Sequence, residues 1–241
     1  MSFPPACCNT PPVASDYTAK GELREIGGVP CYVSGPKDAT QGIVVVYDIF
    51  GMHGNVKQIC DVLGAVGFAV VLPDLLGAGA LTEADLGKPG VFDAFTKGPG
   101  SWEANRDKLA AARDHLRAGG AQSVGALGFC WGGGIVVQAL AKLDGLSGGT
   151  IVHPALVTAE RVAAIKAPLL AMPTKDDPDY APFFATLADK PFAAQCRVER
   201  FDDMFHGFCG ARGDWSKSEQ AKRANDAIAL TADFFRAVLK H

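Results

Sequence analysis

A mostly parallel α/β sheet with helices on both faces is the fold class that this sequence predicts. Three observations predict it. Runs of β-branched residues and segments of helical spacing alternate about six times along the chain. The run Ile43-Val-Val-Val-Tyr47 is apolar throughout, as a strand covered on both faces requires. The chain has 241 residues, 48% hydrophobic and 20% charged, which suits a single packed unit and excludes general disorder.

Residues 1–20 hold four prolines and no periodic pattern, and read as an arm outside a single domain spanning 21–241. Glu22–Ile26 and Val29–Val33 flank Gly27-Gly28, the pattern of a β-hairpin. Asn55–Val66 has helical spacing at Val56, Ile59, Leu63 and Val66, and Phe68–Leu72 is the next strand, closed by Pro73. Leu75–Gly100 is glycine-rich and irregular, an excursion or lid. Trp102–Ala118 reads as a helix stopped by Gly119-Gly120. Strands follow at Ser123–Phe129, Gly149–His153, Pro168–Met172 and Gln195–Phe201. Between and after them lie helices at Trp131–Leu143, Thr158–Ile165, Ala181–Ala188 and Ser216–Leu239.

The formal charge of −3 gives no basic face, so nucleic acid is a poor partner. The apolar stretch Gly125–Ala141 is shorter than a membrane span and carries Gln138. The first residues show no export signal, and the expected setting is cytoplasmic. Seven cysteines at irregular spacing then read as thiols, with Cys7-Cys8 in the arm. No Cys or His pair has metal-ligand spacing, and no phosphate-binding glycine motif opens a helix, so no metal or cofactor is expected.

In open sheets of this class ligands sit beyond the carboxyl ends of the strands, so the residues after each strand are the place to look. Gly128-Phe-Cys130-Trp-Gly132 stands between a strand and a helix. A G-x-C-x-G turn there is sharp, and its apex residue is held above the sheet at a helix N-terminus, where a thiolate is favoured. A thiol needs a base, and His206 follows the last strand. Asp176 and Asp177 both follow the Pro168–Met172 strand, and Asp176, nearer the strand end, is the expected orienting acid. The chain order nucleophile, acid, histidine is that of the α/β-hydrolases. The oxyanion donors are expected to be the backbone N–H groups of Trp131 and Ile49. Asp48 falls close to the thiol, where a carboxylate disfavours thiolate, or it caps the next element. His153, stopped by Pro154, either lines the substrate pocket or ends its strand. His53 reads as a rim residue and His115 as part of a solvated helix face.

The stretches Gly128-Phe-Cys-Trp-Gly-Gly133, Asp48-Ile-Phe-Gly51, Pro73-Asp-Leu75, Thr174-Lys-Asp176 and His206-Gly-Phe208 resemble the dienelactone hydrolase family, its fungal branch above all. The resemblance covers nearly the whole chain. It implies an α/β-hydrolase fold, a Cys-Asp-His triad without cofactor, and hydrolysis of a small lactone or activated ester through an acyl-cysteine. It also implies that Asp48 contacts the resting thiol until substrate displaces it. Bacterial members hold a substrate carboxylate with two arginines. Here Pro73–Gly79 contains no arginine, and the position four past the histidine is Gly210, with Arg212 nearest. A neutral or bulkier ester is therefore expected, with His153, Phe208 and Arg212 as pocket candidates. A thioesterase or transacylase would use the same parts, in a monomer or a homodimer. The alternative is a thiol redox sensor at Cys130, with Cys209 as resolving thiol.

Overall fold

The computed structural model describes residues 9–240. Eight strands form one sheet in the order β1-β2-β4-β3-β5-β6-β7-β8. They are β1 (Glu22–Ile26), β2 (Val29–Ser34), β3 (Gln41–Val46), β4 (Ala69–Pro73), β5 (Ser123–Phe129), β6 (Gly148–Val152), β7 (Leu169–Met172) and β8 (Arg197–Val198). The hairpin β1–β2 and the β2–β4 pair are antiparallel, and every other pair is parallel. The helices that connect and cover the strands are α1 (Gly54–Ala65), α2 (Val91–Lys97), α3 (Trp102–Ala118), α4 (Trp131–Lys142), α5 (Ala159–Ala163), α6 (Ala181–Ala185) and α7 (Ser218–Val238).

Adjacent glycines in β6 show how the two faces are covered. A β-carbon on Gly148 would meet Val238 at 2.7 Å, at the end of α7, whereas one on Gly149 would meet Leu140 of α4 at 2.7 Å. Successive strand residues point to opposite faces, so α7 and α4 lie on opposite sides of the sheet. Every residue of β5 is buried, which explains why its sequence is apolar without alternation. Ser101 caps α3 by accepting the Ala104 N–H at 3.2 Å, and Gly119 and Gly120 end it, so its boundaries fall where the sequence puts them.

Two elements differ from expectation. The excursion 75–100 contains two short 3₁₀ turns and the helix α2, whose seven residues are too few to give a periodic signal. The last strand is two residues long instead of seven, with one further bridge between Thr174 and Phe201. Glu199 and Phe201 still donate to the Ala171 and Pro173 carbonyls at 2.9 and 2.8 Å. The return bonds fail because Pro173 has no N–H. The Thr174 N–H is taken by the Asp177 carboxylate at 2.8 Å.

Candidate active site

Cys130 sits between β5 and α4 with φ 50° and ψ −116°, a conformation most side chains avoid. The flanking glycines make it possible. A β-carbon on Gly128 would meet the Gly132 carbonyl oxygen at 2.3 Å, and one on Gly132 would meet the Val46 carbonyl oxygen at 2.4 Å. These neighbours are backbone and have nowhere to go. The Cys130 carbonyl accepts the N–H groups of Gly133 and Ala155 at 3.0 and 2.8 Å, and its own N–H donates to Val152 at 3.2 Å. The turn is thereby fixed to the ends of β5 and β6 at once. The Trp131 side chain is buried and donates from Nε1 to the Gly100 carbonyl at 2.8 Å, joining the turn to the start of α3.

His206 is wholly buried, and its Nδ1 lies 2.6 Å from Asp177 Oδ1. The orienting acid is therefore Asp177, and the expectation of Asp176 is corrected. Asp176 is exposed and accepts the His206 backbone N–H at 2.9 Å. The physical reason is the turn after β7. Asp177 Oδ2 accepts both the N–H and the hydroxyl of Thr174, at 2.8 and 2.7 Å, which folds the fourth residue back over the strand end. Nearness in sequence to the strand points the wrong way once the chain reverses. The Thr174-x-x-Asp177 spacing was the available signal. Burial raises the Asp177 pKa, but the hydrogen bond and charge of His206 and the two bonds from Thr174 outweigh it, so the carboxyl titrates below its usual range.

Asp48 is buried at the end of β3. Its Oδ1 accepts the Phe50 N–H and its Oδ2 the Ala211 N–H, both at 2.9 Å, so it fastens the 207–213 loop to the β3 end. Asn55 fastens the same loop, donating to the Gly210 and Gly213 carbonyls at 2.9 and 2.8 Å. Gly210 has no room for a side chain: a β-carbon would lie 2.9 Å from Asp48 Oδ2 and 3.5 Å from His153 Nε2. The Ile49 carbonyl accepts the Leu81 N–H at 2.8 Å, which ties the 75–100 excursion to this loop.

His153 has φ 37° and is wholly buried. Its ring meets those of His206 and Phe208 edge-on, at centroid distances of 5.1 and 5.9 Å. Burial first, and then the neighbouring His206, push its pKa down to about 3, against a smaller opposing effect of Asp177. His153 is thus a neutral imidazole beside a second imidazole. Phe208 is also buried and stacks on Phe201 at 5.3 Å. Arg212 is not an exposed loop residue. It is buried, donates from Nε to the Thr10 carbonyl, and lies 4.9 Å from the Phe50 ring centre. Val13 joins the same contact, donating to Ala211 at 2.9 Å and accepting from His53 at 2.8 Å. His53 is therefore an anchor for the chain before the hairpin. Cys7 and Cys8 lie outside the described residues.

Tyr180 was not singled out from the sequence. It is buried, donates to the Pro154 carbonyl at 3.0 Å, and its hydroxyl is made harder to ionise by burial and by the charges of Asp177 and Cys130. No patterned neighbour marks it, which is why it was missed. Among the described residues no cluster of His, Cys, Asp or Glu is arranged to hold a metal, and no helix is long and apolar enough to cross a membrane.

Several known proteins are similar to this chain. An uncharacterised AIM2 family protein of Schizosaccharomyces pombe is 31% identical, covering 97% of this chain and 99% of its own. A hydrolase of Aspergillus violaceofuscus, pyvD, is 28% identical over 99% of both chains. A carboxymethylenebutenolidase homolog of Mus musculus is 26% identical over 80% of this chain and 81% of its own. In structure, a putative dienelactone hydrolase from Klebsiella pneumoniae superposes with a TM-score of 0.69 at 20% identity, covering 90% of this chain and 98% of the other. The profile of the dienelactone hydrolase family matches residues 29–239, and the chain belongs to that family of α/β-hydrolases.

Proposed function

We propose that the protein hydrolyses a lactone or activated carboxylic ester through an acyl-cysteine on Cys130. Two observations support this reading, the buried 2.6 Å contact of His206 with Asp177 and a cysteine held at a strained strand-to-helix apex. Asp177 accepts a hydrogen bond from Nδ1–H and so fixes His206 with Nε2 as the base. His206 takes the Cys130 proton, and the sulfur attacks the substrate carbonyl. The Trp131 and Ile49 N–H groups hold the oxyanion. His206 returns the proton to the leaving alkoxide, then takes one from water, which attacks the thioester; the C–S bond breaks, the acid leaves, and the His206 proton returns to the Cys130 sulfur. Asp48 modulates the thiol from the β3 end. Cys130 and His206 are both wholly buried, so substrate reaches the sulfur only when neighbouring segments move.

The redox alternative gains nothing from Cys209, whose buried thiol faces the Ala224 carbonyl at 3.9 Å and is pushed up in pKa by burial. Turnover of a panel of dienelactone, a neutral lactone and p-nitrophenyl esters tests the proposal. Wild type should hydrolyse at least one, and a slow ester should leave an acyl adduct on Cys130 by intact mass. Peroxide oxidation of Cys130 with no turnover of any panel member would overturn the reading.

A further inference from the structure

The sheet ends in two edge strands, and they are unlike. β8 is two residues long, whereas β1 runs for five, Glu22-Leu-Arg-Glu-Ile26. Very short edges resist pairing with another chain, and longer ones present a row of backbone donors and acceptors. Every residue of β1 but Ile26 is exposed, and Leu23 is a large apolar side chain that is 67% exposed.

The hairpin decides which β1 groups face outward. Gly27 and Gly28 have φ 58° and 76°, the two-residue turn that makes Ile26 and Val29 a hydrogen-bonded pair. Bonded and non-bonded pairs then alternate, so Arg24 and Glu22 bond to β2 while Glu25 and Leu23 do not. Pro30 agrees with this. It lies opposite Glu25, has no N–H, and turns its carbonyl to the Asp74 N–H at 2.8 Å. The N–H and C=O groups of Leu23 and Glu25 therefore point away from the sheet. Among the described residues no other backbone segment bonds to them.

Two copies related by a two-fold axis across this edge pair their β1 strands antiparallel. Outward groups must meet outward groups, so the axis passes through a residue and not between two. Centred on Glu22, Arg24 or Glu25, the pairing sets like charges opposite each other. Centred on Leu23, it sets Leu23 against the partner's Leu23, and Glu22 against the partner's Arg24 on both sides. Leu23 is then a hydrogen-bonded pair with two mutual N–H···O bonds. Glu22 and Arg24 fall at non-hydrogen-bonded positions, where facing side chains come closest. Within one chain Arg24 already donates to Glu22 at 2.6 Å. The pairing thus closes a ring of four charges of alternating sign.

We infer that β1 is a self-association edge, through which two copies of this chain join into one continuous sheet centred on Leu23. The charges disfavour the other three registers, so they select a defined dimer over open aggregation. The contact is small, and the dimer exchanges with monomer. Three strands separate β1 from β5, so the inference does not depend on the hydrolase reading.

Sedimentation velocity of the full chain over about 5–500 µM, a range suited to a small contact, tests it. The wild type should pass from monomer to dimer as concentration rises. Arg24→Glu and Glu22→Arg should each weaken the dimer at least about tenfold, because each gathers four like charges. Mixed in equal amounts, these two variants should associate with each other, since opposite charges face again. Leu23→Pro should also abolish the dimer, because it removes an outward N–H and leaves the bonds to β2. If Leu23→Pro unfolds, the two charge variants, both at exposed positions, carry the test. A wild type that stays monomeric throughout, a dimer undiminished in both charge variants, or no association on mixing them would overturn the inference.

Discussion

The two sides of the sheet's carboxyl edge are built by different means. On the β5 side, backbone sterics fix the site: Gly128 and Gly132 leave no space for a β-carbon, and Cys130 has one available conformation. On the β7 side, hydrogen bonds fix it: a turn after Met172 folds Asp177 back through Thr174, and His206 completes the pair. The steric device is written in consecutive residues and is legible in the sequence. The hydrogen-bonded device depends on which way a turn reverses, and two neighbouring aspartates take opposite roles.

The largest expected effects separate the two sides. Cys130→Ala should lower kcat/KM by about 10⁴-fold or more while leaving the fold intact, read by turnover and circular dichroism. On the other side Asp177→Asn should lower it by about 10³- to 10⁴-fold, because the amide favours the wrong tautomer of His206.

Gly132→Ala tests the steric device directly. The new methyl would lie 2.4 Å from the Val46 oxygen. A loss of about 2–3 kcal/mol in urea unfolding is expected, with a fall of several degrees in Tm.

The buried imidazole between the two sides gives a pH signature. The unfolded chain protonates His153 near pH 6.5, and the folded protein resists protonation until about pH 3. Between these values the unfolded state holds more protons, so stability falls as pH falls, by up to about 1.4 kcal/mol per unit. The lowered pKa of Asp177 acts in the same direction but below its ordinary value of 3.8. Unfolding free energies at pH 7, 6, 5 and 4 should therefore show a slope that His153→Phe reduces. An unchanged slope in that variant would remove His153 from the account. The smallest effect is expected far from the edge: Gly125→Ala would press on the Phe235 ring at 2.5 Å and cost about 1–3 kcal/mol without changing kcat.

The sheet was legible because its strands are short apolar runs separated by helices with clear ends, as Trp102–Ala118 shows. β8 was overextended because Glu199 and Phe201 keep a strand-like spacing while Pro173 denies them a reciprocal partner. The places of Cys130 and His206 beyond strand ends could be read from the sequence. Arg212 and His53 could not, since their partners Thr10 and Val13 lie in an arm with no pattern of its own. Tyr180 owes its environment to a distant segment at Pro154.

The central claim is that a buried Asp177 directs His206 onto Cys130, and the paired kinetics of Asp177→Asn and Asp176→Asn test it most directly. The account predicts a loss of about 10³-fold or more in kcat/KM for Asp177→Asn and less than about tenfold for Asp176→Asn, whose carboxylate serves only the His206 backbone N–H. Equal losses in the two variants, or the larger loss in Asp176→Asn, would contradict it.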